Sequence, residues 1–203
     1  MRILQLNHSY QRNLQKASDI LKLGGMIIYP TDTLYALGGD ALSEELIQKV
    51  FTAKNRPLSK PLPIAVSDIR MMEKFAKINN DVKKIADKFL PGAVTLILKK
   101  KKKLPESLTS GLNKVAVRIP GNKAAIELIR ISGRPLISTS ANFTGNPPPI
   151  SIEEVPLELG ADLALDHGVL GERVPSTIVD LTGKPRIVRE GKISNKKILS
   201  ELS

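Results

Sequence analysis

Residues 24–35 read Gly24-Gly25-Met26-Ile27-Ile28-Tyr29-Pro30-Thr31-Asp32-Thr33-Leu34-Tyr35. The run Met26 to Tyr29 is short, continuous and apolar, with glycines before it and a proline after it, which is the pattern of a buried strand. Upstream, residues 9–23 place Leu14, Ala17 and Leu21 on one helical face, and Gly24-Gly25 stop that helix. A helix running into a buried strand sets the α/β class. Working outward, Ser43 caps a helix with Leu46, Ile47, Val50 and Phe51 inward. Ile64-Ala65-Val66 re-enters a sheet. Asn80 opens a helix ended by Pro91-Gly92. Ala93 to Leu98 and Lys114 to Ile119 read as strands, 122–132 as a helix and Leu136-Ile137 as a short strand. Further strands follow at Asp162 to Leu165, Ser176 to Leu181 and Arg186 to Val188. A last helix starts near Ser194. The irregular alternation argues against a regular doubly wound parallel sheet. It predicts one α/β domain over residues 1–203, with an open, twisted mixed sheet and flanking helices.

Composition narrows the chemistry. Cysteine is absent, which excludes disulfides, thiolate metal sites and a cysteine nucleophile. The two histidines, His8 and His167, stand near no nucleophile motif, so a Ser-His-Asp triad and a His-rich metal site are not expected. No apolar run approaches membrane-spanning length, and Met1 to Asn7 is too short for a secretory signal, so the expected location is the cytoplasm. The net charge of +11 favours polyanionic partners. One run, Lys99 to Lys103, reads first as a solvated hairpin or loop and second as a nucleic-acid patch. With 3% aromatic residues and no tryptophan, no base-stacking platform is expected.

The chemistry-bearing residues fall in separated clusters. Lys54-Asn55-Arg56-Pro57 joins a point charge to a forked guanidinium, and Ser138-Thr139-Ser140-Ala141-Asn142 offers hydroxyl and amide groups. Neither a G-x-G-x-x-G after the first strand nor a G-x-x-x-x-G-K-[ST] loop is present. A nucleotide would have to be held by side chains and irregular loops. The inventory is Lys54, Arg56, Lys60, Arg118 and Arg189, with hydroxyls from Thr31, Thr33, Ser138, Ser140, Ser176 and Thr177. It suits phosphoryl or nucleotidyl transfer by positioning and charge stabilisation. Each piece also has a plainer reading. Lys54 and Arg56 would suit a helix C-terminus, Ser138 to Ser140 a strand-end turn, and Asp32 a turn cap. Arg118 would be an outward strand residue and Arg189 a surface charge. Lys54 and Arg56, in a proline-flanked polar segment, are not expected to build core.

Taken in order, these segments resemble the YrdC-like family, the threonylcarbamoyl-AMP synthases. The resemblance rests on Pro30 to Gly38, Ala53-Lys54-Asn55-Arg56-Pro57, Lys60-Pro61-Leu62, Leu90-Pro91-Gly92-Ala93-Val94-Thr95, Val115 to Pro120, Ser138 to Asn142, Pro175-Ser176-Thr177-Ile178 and Arg189-Glu190-Gly191. It implies flanking helices around a positively charged cavity. It implies the catalytic set Lys54, Arg56, Ser140 and Asn142, with ATP also held by Lys60 and Arg189. It implies threonine on Thr33, Arg118, Ser138 and Ser176, and Mg²⁺ carried with ATP as substrate. It also implies bicarbonate as the third substrate and a product that passes to a complex that modifies tRNA. Ala65 stands where some members carry histidine, so one threonine contact is expected to be absent or replaced. Two other readings fit the residues: a non-catalytic RNA-binding or ribosome-associated module, with RNA or tRNA met by the basic surface, and an enzyme of this fold with another carbamoyl or acyl acceptor.

Overall fold

The computed structural model describes residues 1–202. The elements are β1 (Arg2–Gln5), α1 (Tyr10–Lys22), β2 (Ile27–Pro30), β3 (Tyr35–Gly38), α2 (Glu44–Ala53), β4 (Ile64–Ala65), α3 (Ile69–Phe75), α4 (Asn80–Phe89), β5 (Val94–Lys99) and β6 (Lys114–Arg118). Then come α5 (Lys123–Ser132), β7 (Leu136–Ile137), β8 (Thr139–Ser140), β9 (Leu163–Asp166), β10 (Thr177–Asp180), β11 (Arg186–Arg189) and α6 (Asn195–Leu199). The open, mixed α/β arrangement expected from the sequence is present, distributed over two sheets. One runs β1-β9-β2-β3-β8, the other β11-β10-β5-β6-β4-β7. Parallel and antiparallel pairs occur in both. No helix among the described residues is long and apolar enough to cross a membrane.

All four residues of β2 are buried, because the strand has a core on each face. Ile28 packs with Leu46, Ile47 and Val50 of α2 in the larger core. Ile27 and Tyr29 face Leu14, Ala17 and Leu21 of α1 and Leu128 and Ile129 of α5. Burying each such side chain contributes about 1.5–3 kcal/mol. Helix ends follow the sequence signals. Ser43 Oγ accepts from the Leu46 N–H at 3.2 Å, and Gly133 closes α5 with φ 68°.

Five short elements were not read from the sequence: β1, β3, β8, α3 and a single 3₁₀ turn at Leu157–Leu159. In β3, Tyr35-Ala36-Leu37-Gly38 includes alanine and glycine, both poor strand formers. Its strand state comes from pairing with β2 on one side and β8 on the other. Gly38 is needed there, since a Cβ would lie 2.5 Å from the Ile137 carbonyl and 2.6 Å from the Tyr29 ring.

Candidate active site

The two clusters meet because α2 ends at Lys54. Asn55 takes φ 49°, the Asn55 N–H bonds the Thr52 carbonyl at 3.0 Å, and the Arg56 N–H bonds the Phe51 carbonyl at 2.9 Å. This helix-ending turn uses the left-handed conformation that asparagine tolerates. The Lys54 and Arg56 side chains then go to different places.

Lys54 is buried, with 1% of its surface exposed. Its Nζ donates to the carbonyls of Ser140 and Asn142, both at 2.5 Å, and to Asn142 Oδ1 at 3.4 Å. Ser140 Oγ donates to Asn142 Oδ1 at 2.6 Å, and Asn142 Nδ2 donates to the Asn146 carbonyl at 2.5 Å. Lys54, Ser140 and Asn142 thus form one network behind the cleft, with Ser140 in its wall. Burial, aided by the nearby Arg56 charge, pushes the Lys54 ammonium down to about 7. The expectation that Lys54 stays out of the core is overturned by this burial.

The cleft itself has a volume of about 290 Å³. Arg56, Arg118 and Arg189 line it, with Thr31, Thr33, Thr95, Ser138, Ser140 and Ser176 supplying hydroxyls. Arg56 Nε and Nη2 donate to the carbonyls of Lys60 (2.9 Å) and Pro61 (2.8 Å), which orients the guanidinium. Lys60 is exposed on the turn that follows. Arg189 Nη2 donates to the Ser176 carbonyl at 2.8 Å. Burial lowers the pKa of both arginines, and for Arg189 the Arg118 charge adds to it.

Arg118 is buried, not outward-facing. Its Nη2 meets Asp32 Oδ1 at 2.6 Å and Nη1 meets Thr33 Oγ1 at 3.1 Å, while Nε has no hydrogen-bond partner. Burial lowers the Arg118 pKa and Asp32 opposes that effect. Asp32 also accepts from the Gly121 N–H at 2.8 Å, so it bridges two segments instead of capping its own turn. Thr31 does the capping, accepting from the N–H groups of Thr33 and Leu34 at 3.2 and 3.1 Å. Ser176 Oγ and Thr95 Oγ1 share a hydrogen bond of 2.8 Å.

The sequence reading did not pick out Thr95 or the Asp32–Arg118 pair. Thr95 is the one polar residue in the apolar run Ala93 to Leu98, a usable signal. The ion pair spans most of a hundred residues and left none. Ala65 is fully buried in β4, in register with Arg118 of β6. Among the described residues no three His, Asp or Glu side chains converge to hold a metal. Asp32 is already bonded twice, to Arg118 and to the Gly121 N–H.

Three guanidiniums converging on one polar cleft, with one carboxylate among their hydrogen-bond partners, define an α/β protein built to receive anions. A family model covering Sua5, YciO and YrdC proteins, described as "Telomere recombination", matches residues 19–191, and the chain belongs to this family. A protein of Pyrococcus abyssi named threonylcarbamoyl-AMP synthase is 36% identical over 175 residues. That match covers 85% of this chain and 52% of the relative, so the chain spans about half that protein's length. A Methanocaldococcus jannaschii protein named putative threonylcarbamoyl-AMP synthase is 36% identical over 203 residues, covering 98% of this chain and 95% of its own. The crystal structure of P. abyssi Sua5 complexed with L-threonine superposes with a TM-score of 0.95 at 32% identity, over 100% of this chain and 61% of that one.

Proposed function

We propose that this protein is a nucleotidyltransferase that makes threonylcarbamoyl-AMP from L-threonine, bicarbonate and ATP. The observation that carries the reading is the arginine-lined cleft, with Arg118 buried, held by Asp32 and retaining an unpartnered Nε. A buried guanidinium with unused donors suits a carboxylate. Thr33, Ser138 and Ser176 then surround the amino acid, and Arg56, Lys60, Ser140 and Arg189 hold the triphosphate. Mg²⁺ enters bound to ATP and neutralises part of its charge.

In the reaction, the threonine amine attacks bicarbonate, and loss of water leaves a carbamate. A carbamate oxygen then attacks the α-phosphorus while the bond to the β-phosphate oxygen breaks, and pyrophosphate leaves. The amine proton goes to solvent or bicarbonate. Negative charge grows on the α-phosphate and the leaving group, where Arg56 and Arg189 offset it. Lys54 and Asn142 act through Ser140. Their hydrogen bonds hold its backbone and hydroxyl in the cleft wall. In this reading the adenylate serves tRNA modification in the cytoplasm, handed to a separate transfer complex.

The test is an omission assay for pyrophosphate. Release should require ATP, threonine and bicarbonate together. Equal release without threonine or without bicarbonate would exclude this reaction.

A further inference from the structure

Three residues in the floor of the arginine cleft, Thr95, Ala116 and Ile178, have no part in the reaction above. They come from three adjacent strands, β5, β6 and β10. Ile178 stands directly opposite Thr95 in the parallel β10–β5 ladder. Ile97, two residues beyond Thr95, stands opposite Ala116 in the antiparallel β5–β6 ladder. Residues that pair, or that lie two apart on one strand, share a face of the sheet, so the three side chains point the same way. Ile178 and Ala116 are half-buried apolar residues on either side of a buried threonine.

Thr95 is joined to Ser176. Its Oγ1 lies 2.8 Å from Ser176 Oγ, and among the described residues it has no other hydrogen-bond partner. Two hydroxyls hold two protons, and their mutual bond uses one. Arg189 Nη2, 3.5 Å from Ser176 Oγ, is too far to make a strong bond there. The pair therefore keeps one proton to donate and lone pairs to accept with. That is the complement of a hydroxyl group, which does both.

Other hydroxyls in the wall are committed. Thr31 accepts from two backbone N–H groups and donates to the Leu34 carbonyl at 2.7 Å. Thr33 accepts from Arg118, and Ser140 donates to Asn142 Oδ1. A carboxylate only accepts, and it is matched by Arg118 with its unpartnered Nε. Leu96 stands opposite Val117, so Thr95 and Arg118, one step further along, are neighbours on strands about 4.8 Å apart. In an amino acid a single carbon separates the carboxyl group from the β-carbon. A carboxylate on Arg118 thus brings the β-substituents over Thr95.

We propose that Thr95 and Ser176 bind the β-hydroxyl of the amino-acid substrate, and that Ile178 and Ala116 pack against its β-methyl. The assignment rests on the reading that the arginine cleft takes an amino acid by its carboxylate. Hydroxyl and methyl then have separate, fixed places. The cleft selects the side chain and also its configuration at the β-carbon. Thr95, Ala116 and Ile178 are specificity-determining residues in this account.

The test titrates the full chain with four amino acids by calorimetry: L-threonine, L-allo-threonine, L-2-aminobutyrate and L-serine. Allo-threonine exchanges the hydroxyl and the methyl, and 2-aminobutyrate lacks the hydroxyl. Each should bind about 10–100-fold more weakly than threonine, the effect of leaving polar groups of a buried site unpaired. Thr95→Val keeps the shape and removes the hydroxyl. In it the preference for threonine over 2-aminobutyrate should shrink by about tenfold, while Thr95→Ser should keep that preference. Ile178→Ala should weaken threonine and leave serine, which has no methyl, within about twofold. Melting curves establish that each variant is folded. Equal binding of threonine and allo-threonine by the parent chain overturns the proposal whatever the variants do. So does an unchanged preference in folded Thr95→Val. If the hydroxyl pair held the carboxylate instead, Thr95→Val would weaken all four amino acids alike, and that result also overturns it. A parent chain that binds none of the four refutes the amino-acid reading itself, and the proposal with it. The first titration therefore tells the two failures apart.

Discussion

Replacing Lys54 by methionine keeps the length of the side chain and removes its charge and donors. Two opposed effects follow. The carbonyls of Ser140 and Asn142 lose a donor at 2.5 Å, at a cost of about 1–3 kcal/mol each where water cannot replace it. Against this, the variant no longer buries an ammonium. Burial pushes that group from 10.5 down to about 7, so between these values the folded protein binds fewer protons than the unfolded chain. Native stability therefore rises with pH across this window, by about 1.4 kcal/mol per unit, and the penalty for the buried charge is full below pH 7. Methionine does not titrate. The destabilisation by Lys54→Met should be small near pH 6 and larger by roughly 2–3 kcal/mol near pH 9. Urea unfolding of both proteins at the two pH values measures it. A difference that is constant with pH, or largest at pH 6, would refute the claim that Lys54 is a desolvated clamp on the 140–142 turn.

Arg56→Ala should cost only about 1 kcal/mol in unfolding free energy, since its bonds to the Lys60 and Pro61 carbonyls lie near solvent. Pyrophosphate release should nonetheless fall by about 10²–10³-fold, the usual effect of removing a donor from developing oxyanion charge. Gly191→Ala should displace the chain after β11, because a Cβ there would collide with the Pro175 carbonyl and the Ser176 backbone. A loss of about 1–3 kcal/mol in stability and weaker ATP binding are expected, read by urea unfolding and calorimetry. Serine, which lacks one methyl, should be a poorer substrate than threonine by about 10–200-fold in kcat/KM, and not an inert one.

Much of the frame was legible because helix caps and apolar runs are local signals. Ser43, Gly133 and the buried strand at Met26 to Tyr29 each act within a few residues of themselves. What was not legible depends on distant partners. Tyr35 to Gly38 becomes a strand only between two others. The division of one mixed sheet into two follows from which short strands pair, and a two-residue strand such as β8 carries almost no pattern of its own. In the site, residue types pointed to anion chemistry, and all eight motif segments contribute residues to one cleft. Their orientations were hidden. Asn55 turns Lys54 inward and Arg56 toward the cleft, though the two are neighbours in a polar segment. Arg118 looks like an outward strand charge until Asp32 is found facing it across the fold.

The most direct measurement supplies ¹³C-bicarbonate with ATP and threonine and follows the nucleotide products by mass spectrometry. An adenylate carrying threonine and the label, formed together with pyrophosphate, is the expected result. An adenylate that carries the amino acid without the label, or AMP and pyrophosphate formed with no adenylate at all, would contradict carbamate attack on the α-phosphorus.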